Sequence, residues 1–138
     1  MKKGFTLVEL LIVLAVIAAL MAVATPMALN AVKQAKSSQV AQNLQNIMTA
    51  VENYVNTEQG FPENIDALVS KNYLSSKPVG YTINAEPSPV TWANGQTKAI
   101  VKYTVGDVTV ADAKKQNPNV IDGGSGAPTL EATVVKWW

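Results

Sequence analysis

One carboxylate sits where carboxylates are costly. Glu9 lies inside Phe5-Thr6-Leu7-Val8-Glu9-Leu10-Leu11 and the apolar run that follows, which only Thr6, Glu9 and Thr25 interrupt before Pro26. A charged side chain within such a run costs roughly 2.5–3.5 kcal/mol by insertion scales unless something pairs with it. A helix that only anchored a protein would have no use for it, so Glu9 is read as having a partner and a function. The rest of the chemical inventory is thin. With no cysteine and no histidine, there is no thiol nucleophile, no disulfide and no imidazole base or zinc ligand. No Ser/His pair and no glycine-rich phosphate loop opening a helix is present. All eleven basic residues are lysine, so the arginine fork that reads phosphates bidentately is missing. The net charge of +1 gives no footprint for nucleic acid. Asp107, Asp112 and Asp122 fall in loop-like stretches, but their spacing matches no oxygen cage, and they read as solvated turn residues. Neither an enzymatic activity nor a cofactor nor a metal site is expected.

The element that must position Glu9 is a helix. Phe5 to Ala24 is twenty residues, about 30 Å as a helix, the hydrocarbon thickness of a bilayer. Lys2 and Lys3 precede it and favour a cytoplasmic N-terminus. Lys33 and Lys36 follow it, so lysine counting alone orients the segment weakly. Three readings meet here: a secretory signal cut after Ala24 in Ala22-Val23-Ala24, a plain anchor, and a leader cut before Phe5.

The third reading rests on a resemblance. Gly4-Phe5-Thr6-Leu7-Val8-Glu9-Leu10 resembles the processing motif of type IV pilins and pseudopilins. The resemblance implies a leader of residues 1–4, cleavage between Gly4 and Phe5 by a prepilin peptidase on the cytoplasmic side, and N-methylation of Phe5. It also implies that Glu9 meets the terminal amine of a neighbouring subunit in a helical stack, where each charge is costly alone and tolerable paired. Pro26 removes a helical hydrogen bond, so a kink or local unwinding is expected near Ala22–Pro26. In the pilin family a proline at this distance lies where the helix extends within filaments. Some major pseudopilins hold calcium in the region of the three aspartates.

Beyond Pro26 the apolar period continues. Val32, Ala35, Val40, Leu44, Ile47, Met48, Val51, Tyr54 and Val55 form a stripe at three- and four-residue spacing. One helix of about 54 residues, roughly 80 Å at 1.5 Å per residue, is expected from Phe5 to near Glu58, with Gly60 as its C′ residue and Pro62 as a stop. Gly60 to Val69 reads as a turn and short helix, and Tyr54 to Leu74 resembles the connecting loop of pilins. Strands are expected at Val79–Ala85, Val90–Ala93, Thr97–Val105, Val108–Ala111 and Thr129–Trp138, with Asn94-Gly95 as a hairpin turn. Ala99, Val101, Tyr103 and Val105 would share one face. Ala113–Ala127 reads as loop, and Trp137 and Trp138 as sheet core or edge cover.

The expected fold class is α+β: a long N-terminal helix, apolar in its first half and kinked near Pro26, packed on an antiparallel sheet of four or five strands. The expected divisions are a leader at 1–4, a membrane and filament-core half-helix at 5–26, and a globular domain at 27–138. That domain would hold an amphipathic half-helix at 27–59, a connecting loop at 60–78, and sheet and C-terminal loops at 79–138. The resemblance further implies a structural subunit that waits in the cytoplasmic membrane with its C-terminal domain outside and then joins an extracellular or periplasmic filament. Its partners would be copies of itself or minor pilins, the prepilin peptidase/methyltransferase, an assembly ATPase and a platform protein. A pseudopilin of a secretion or DNA-uptake machine is the alternative within the same fold, and a secreted binding domain cleaved after Ala24 is the alternative outside it.

Overall fold

The computed structural model describes residues 4–138. A single helix, α1, runs Leu7–Glu58, and the chain divides into two compact units, Met1–Ala35 and Lys36–Trp138. In the first unit the apolar side chains from Leu7 to Val32 are exposed. The helix contains an 18-residue window of mean hydropathy 2.9, and α1 is long and apolar enough to cross a membrane. Pro26 does not break the helix, contrary to local unwinding there. Pro26 lacks an N–H, and one residue earlier the Thr25 hydroxyl donates to the Met21 carbonyl at 2.9 Å, a side-chain contact of the kind that accompanies gentle helix bending.

The second unit begins where burial begins. The stripe expected from Val32 starts five residues later: Val32 is exposed, whereas Ser37, Val40, Ala41, Leu44, Ile47, Met48, Val51 and Val55 are buried. Their three- and four-residue spacing puts them on one side of α1. Helix α1 ends with Gln59 in the left-handed region at φ 57, its N–H donating to Val55 O at 3.1 Å. The left-handed cap is therefore Gln59, one residue before the expected Gly60. Helix α2, Ile65–Ser70, follows as expected, with Asn64 as N-cap accepting from Ala67 N at 2.9 Å. Ile65 and Leu68 are buried against the core.

Four strands form one sheet in the order β1-β2-β4-β3, every pairing antiparallel. They are β1 (Tyr81–Glu86), β2 (Gln96–Tyr103), β3 (Ile121–Asp122) and β4 (Pro128–Val135). Tyr81, Ile83 and Ala85 on β1 alternate inward, as do Thr97, Ala99, Val101 and Tyr103 on β2. Of these, Tyr81, Ile83, Ala99, Val101 and Tyr103 join Leu130 and Val134 of β4 in the core over the α1 stripe.

Several expected strands are corrected. Val90–Ala93 forms no strand; only an Ala93–Gln96 bridge spans the turn, in which Asn94 and Gly95 take φ 55 and 76. Val105 lies beyond β2 and is exposed. Val108–Ala111 is not a strand, and the stretch read as loop from Ala113 is partly helical: Val110–Gln116 forms helix α3. Its cap explains the change. Thr109 Oγ1 accepts from Asp112 N at 3.2 Å and donates to Asp112 Oδ2 at 2.8 Å, while Lys114 and Lys115 occupy the last turn. These groups complement a helix at both ends. Strand β4 stops at Val135, so Trp137 and Trp138 lie outside the sheet. Trp138 packs edge-on against Trp92 at 5.4 Å, and Trp137 is 64% exposed.

Two substitutions test this packing. Leu44→Ala leaves a cavity under the sheet and is expected to cost about 2–5 kcal/mol, read as a lower urea midpoint of the full chain in detergent by tryptophan fluorescence. Gly80 has φ +86, and a Cβ there would overlap Val105 Cγ2. Gly80→Ala is therefore expected to cost at least about 1 kcal/mol through the left-handed backbone alone. An unchanged midpoint for either variant would contradict the packing described.

Candidate functional site

Helix α1 starts at Leu7 because its first turn is closed from both sides. Thr6 is the N-cap. Its Oγ1 accepts from Glu9 N at 3.2 Å, and its own N–H donates to Glu9 Oε2 at 2.8 Å. This reciprocal pair is a capping box, which satisfies two of the backbone donors that a helix start leaves open. The Glu9 carboxylate also lies at the positive end of the helix dipole. Gly4, Phe5 and Thr6 precede the helix and have no regular secondary structure.

The pair corrects one expectation. Glu9 was expected to be useless to a lone helix; in a single chain it already has a structural use, as the N3 residue of the box. The signal was legible as Thr-x-x-Glu before an apolar run. The four expected site residues therefore fall in two places. Gly4, Phe5 and Glu9 lie within six residues at the start of the chain, with Glu9 tied to Thr6. Pro26 lies well inside α1.

A second polar network occupies the Lys36–Trp138 unit. Lys36, on α1, forms an ion pair with Asp107 in the loop after β2. Asp107 also accepts from the Tyr103 hydroxyl at 2.5 Å. The Tyr103 ring lies 4.9 Å from that of Tyr81, whose hydroxyl accepts from Asn43 Nδ2 at 3.2 Å. Hydrogen bonds from Lys36 and then Tyr103 hold the Asp107 carboxyl below its ordinary value. Burial, followed by the hydrogen bond to Asp107, pushes the Tyr103 phenol well above its ordinary value. The network ties the α1 helix to the β2 end of the sheet. A cleft of about 270 Å³ lies beside it, lined by Lys36, Gln39, Asn43, Pro78 and the two tyrosines among others. Composition alone could not reveal this network, because its members lie up to 71 residues apart.

The three aspartates do not converge. Asp107 belongs to the tyrosine network. Asp112 serves the α3 cap, and Asp122 Oδ1 accepts from Gly124 N and Gly126 N at 3.0 and 3.1 Å. Among the described residues no group of three or more metal-ligating side chains gathers.

Comparison with known proteins bears on the start of the chain. The family model of the prokaryotic N-terminal methylation motif matches residues 1–25. This is the leader motif of type IV pilins and pseudopilins, and it supports a pilin-like or pseudopilin protein, a structural class. With the apolar helix behind it, the motif fits a membrane-anchored precursor. No curated protein and no solved structure matches the chain.

The tyrosine network makes stability depend on pH in two windows. Asp107, with its lowered folded value, stabilises above the unfolded carboxyl pKa of about 4; that contribution is lost as pH falls through the folded value. Tyr103, with its raised folded value, contributes fully below the unfolded phenol pKa of about 10 and loses that contribution as pH rises beyond it. Urea midpoints measured against pH are expected to fall at both ends. Asp107→Asn is expected to flatten the acid limb and Tyr103→Phe the alkaline limb. Unaltered limbs in these variants would assign the pH dependence to other groups.

Proposed function

We propose that this chain is a structural subunit of a type IV pilus-like filament. It is cleaved between Gly4 and Phe5, methylated on the new Phe5 amine and polymerised through the N-terminal part of α1. The methylation motif over residues 1–25 carries this reading. It is supported by an exposed apolar helix that suits lipid before assembly and neighbouring helices after it, and by a sheet-covered second unit that needs no membrane of its own. The leader of residues 1–4, the half-helix of 5–26 and the domain of 27–138 are the functional divisions this implies. Copies of the chain, the peptidase/methyltransferase and an assembly motor with its platform are the partners.

Glu9 has two successive roles in this proposal. In the lone subunit its carboxylate is held by Thr6. In the filament it exchanges that contact for the methylated amine of Phe5 on a neighbour, which sets one axial register. Pro26 marks the place where the helix can lengthen within the filament.

The first test is mass spectrometry of the mature N-terminus. A peptide beginning at Phe5, heavier by one methyl group, is expected; one beginning at Thr25 would replace this reading with that of an exported soluble domain. The second test is Glu9→Gln. Glutamine also serves a capping box, so cleavage is expected to persist. Loss of the ionisable carboxylate is expected to lower filament yield at least about tenfold, the equivalent of about 1.4 kcal/mol. Wild-type yield would remove the proposed intermolecular role of Glu9.

A further inference from the structure

The two edges of the sheet are finished differently. Strand β1 runs into Glu86-Pro87 with Pro89 close behind, and charge and proline discourage further pairing at an edge. On the other side β3 covers β4 only at Pro128 and Thr129. The direction of the remaining β4 backbone groups follows from the register. Lys136 N donates to Gly95 O at 2.6 Å, and Val135 lies opposite Gln96. Alternation then turns the N–H and C=O groups of Leu130, Ala132 and Val134 toward β2. Those of Glu131, Thr133 and Val135 turn to the outer edge, continuing the row that β3 meets at Thr129. Glu131, Thr133 and Val135 have register partners on the β2 side only, and no described residue pairs with them on the outer side, where β3 stops at Thr129. Thr133 and Val135 are exposed.

This edge opens into a groove of about 520 Å³ between β4, the loop before β3 and α1. Ile121 supplies exposed apolar surface in it, with the buried Met48 and Leu130 beneath. Glu52 of α1 supplies a carboxylate that has no ion-pair partner among the described residues, and Glu131 supplies a second, paired with Lys98 at 3.2 Å. An unpaired strand edge binds extended chain through main-chain hydrogen bonds, and the pockets beside it select alternate side chains. An unpaired carboxylate in the groove selects a cation.

We propose that β4 accepts an extended segment of another protein as an added strand along Glu131–Val135, with a β-branched residue against the exposed Ile121 and a lysine or arginine meeting Glu52. A second copy of this chain fits less well, because pairing β4 with β4 would bring Glu52 and Glu131 of both chains to one seam. The site lies wholly within the Lys36–Trp138 unit, so it stands or falls separately from the processing of the leader.

The test uses the full chain in detergent micelles with two probes: an acetylated octapeptide with threonine at the odd positions and valine and lysine sharing the even ones, so that valine and lysine face the groove together, and its counterpart with glutamate in place of lysine. Backbone hydrogen exchange is read by NMR. The lysine peptide is expected to slow exchange at Thr133 and Val135 by about tenfold or more, with Ala132 and Val134, already bonded to β2, unchanged. Glu52→Lys is expected to transfer the protection to the glutamate peptide. Thr133→Pro removes an outward N–H without touching the β2 ladder and is expected to abolish protection at Val135; if it fails to fold, the Glu52→Lys exchange of preference still decides. No protection, or equal protection by both peptides, would overturn the proposal. So would protection that grows with protein concentration in the absence of peptide, which would assign the edge to a second copy.

Discussion

The second unit depends on one packed seam. Leu44, Ile47, Met48, Val51 and Val55 of α1 are buried against the inward faces of β1, β2 and β4. Helical spacing supplies the stripe and strand alternation supplies the opposing face, so each element is unstable as a solvated piece and stable against the other. The register of β2 between β1 and β4 follows from the same constraint, since a one-residue slip would turn Ala99 and Val101 to solvent and bring Lys98 and Lys102 into the core. The Lys36–Asp107–Tyr103 contacts then fasten the helix to the sheet at the end where burial begins.

The first unit obeys the opposite rule. Its side chains from Leu7 to Val32 have no protein surface to cover them, and an apolar helix of this length is stable in lipid because its backbone groups are satisfied internally. Besides the Ala22 carbonyl, which Pro26 leaves without its N–H donor, the helix start lacks intrahelical partners. The Thr6–Glu9 box meets that need with the one acidic residue in the run. The carboxylate that looks expensive in the sequence is therefore held at the place on a helix where a negative charge is most useful.

The methylation motif lies within the first unit, at residues 1–25, and with the apolar helix fits a membrane-anchored precursor. The proposed filament subunit must be at home in a membrane first and among its own copies later. A helix with one apolar half and one half already buried under a sheet meets both conditions. The uncovered part of β4 has no place in that scheme, and its outward row beside Glu52 is the basis of the strand addition proposed above.

Much of this was legible in the sequence, because it rests on local periodicity and local hydrogen bonding. The apolar run, the stripe from Val40 to Val55, the Asn64 cap of α2, and the cores of β1 and β2 are all consequences of residues a few positions apart. The Thr6–Glu9 box was equally local, written as Thr-x-x-Glu and visible to anyone weighing Glu9 as a cap. The Thr109 cap of α3 was local too, but Val108-Thr109-Val110 carries strand propensity, and the cap with its basic last turn overrode it. Other features belong to the tertiary structure alone. Val105 and Trp137 look like core by composition and are exposed, since the sheet ends before them. Strand β3 is two residues long and exists only because β4 offers a partner. Asp107, Tyr103 and Lys36 meet across 71 residues, and the open edge of β4 is defined by where β3 stops. Short-range patterns in the chain determined which segments are helix and strand and which face of each is apolar; the order in which distant strands pair, and therefore what lies at an edge, in a cleft or in solvent, was decided only when the sheet closed over α1.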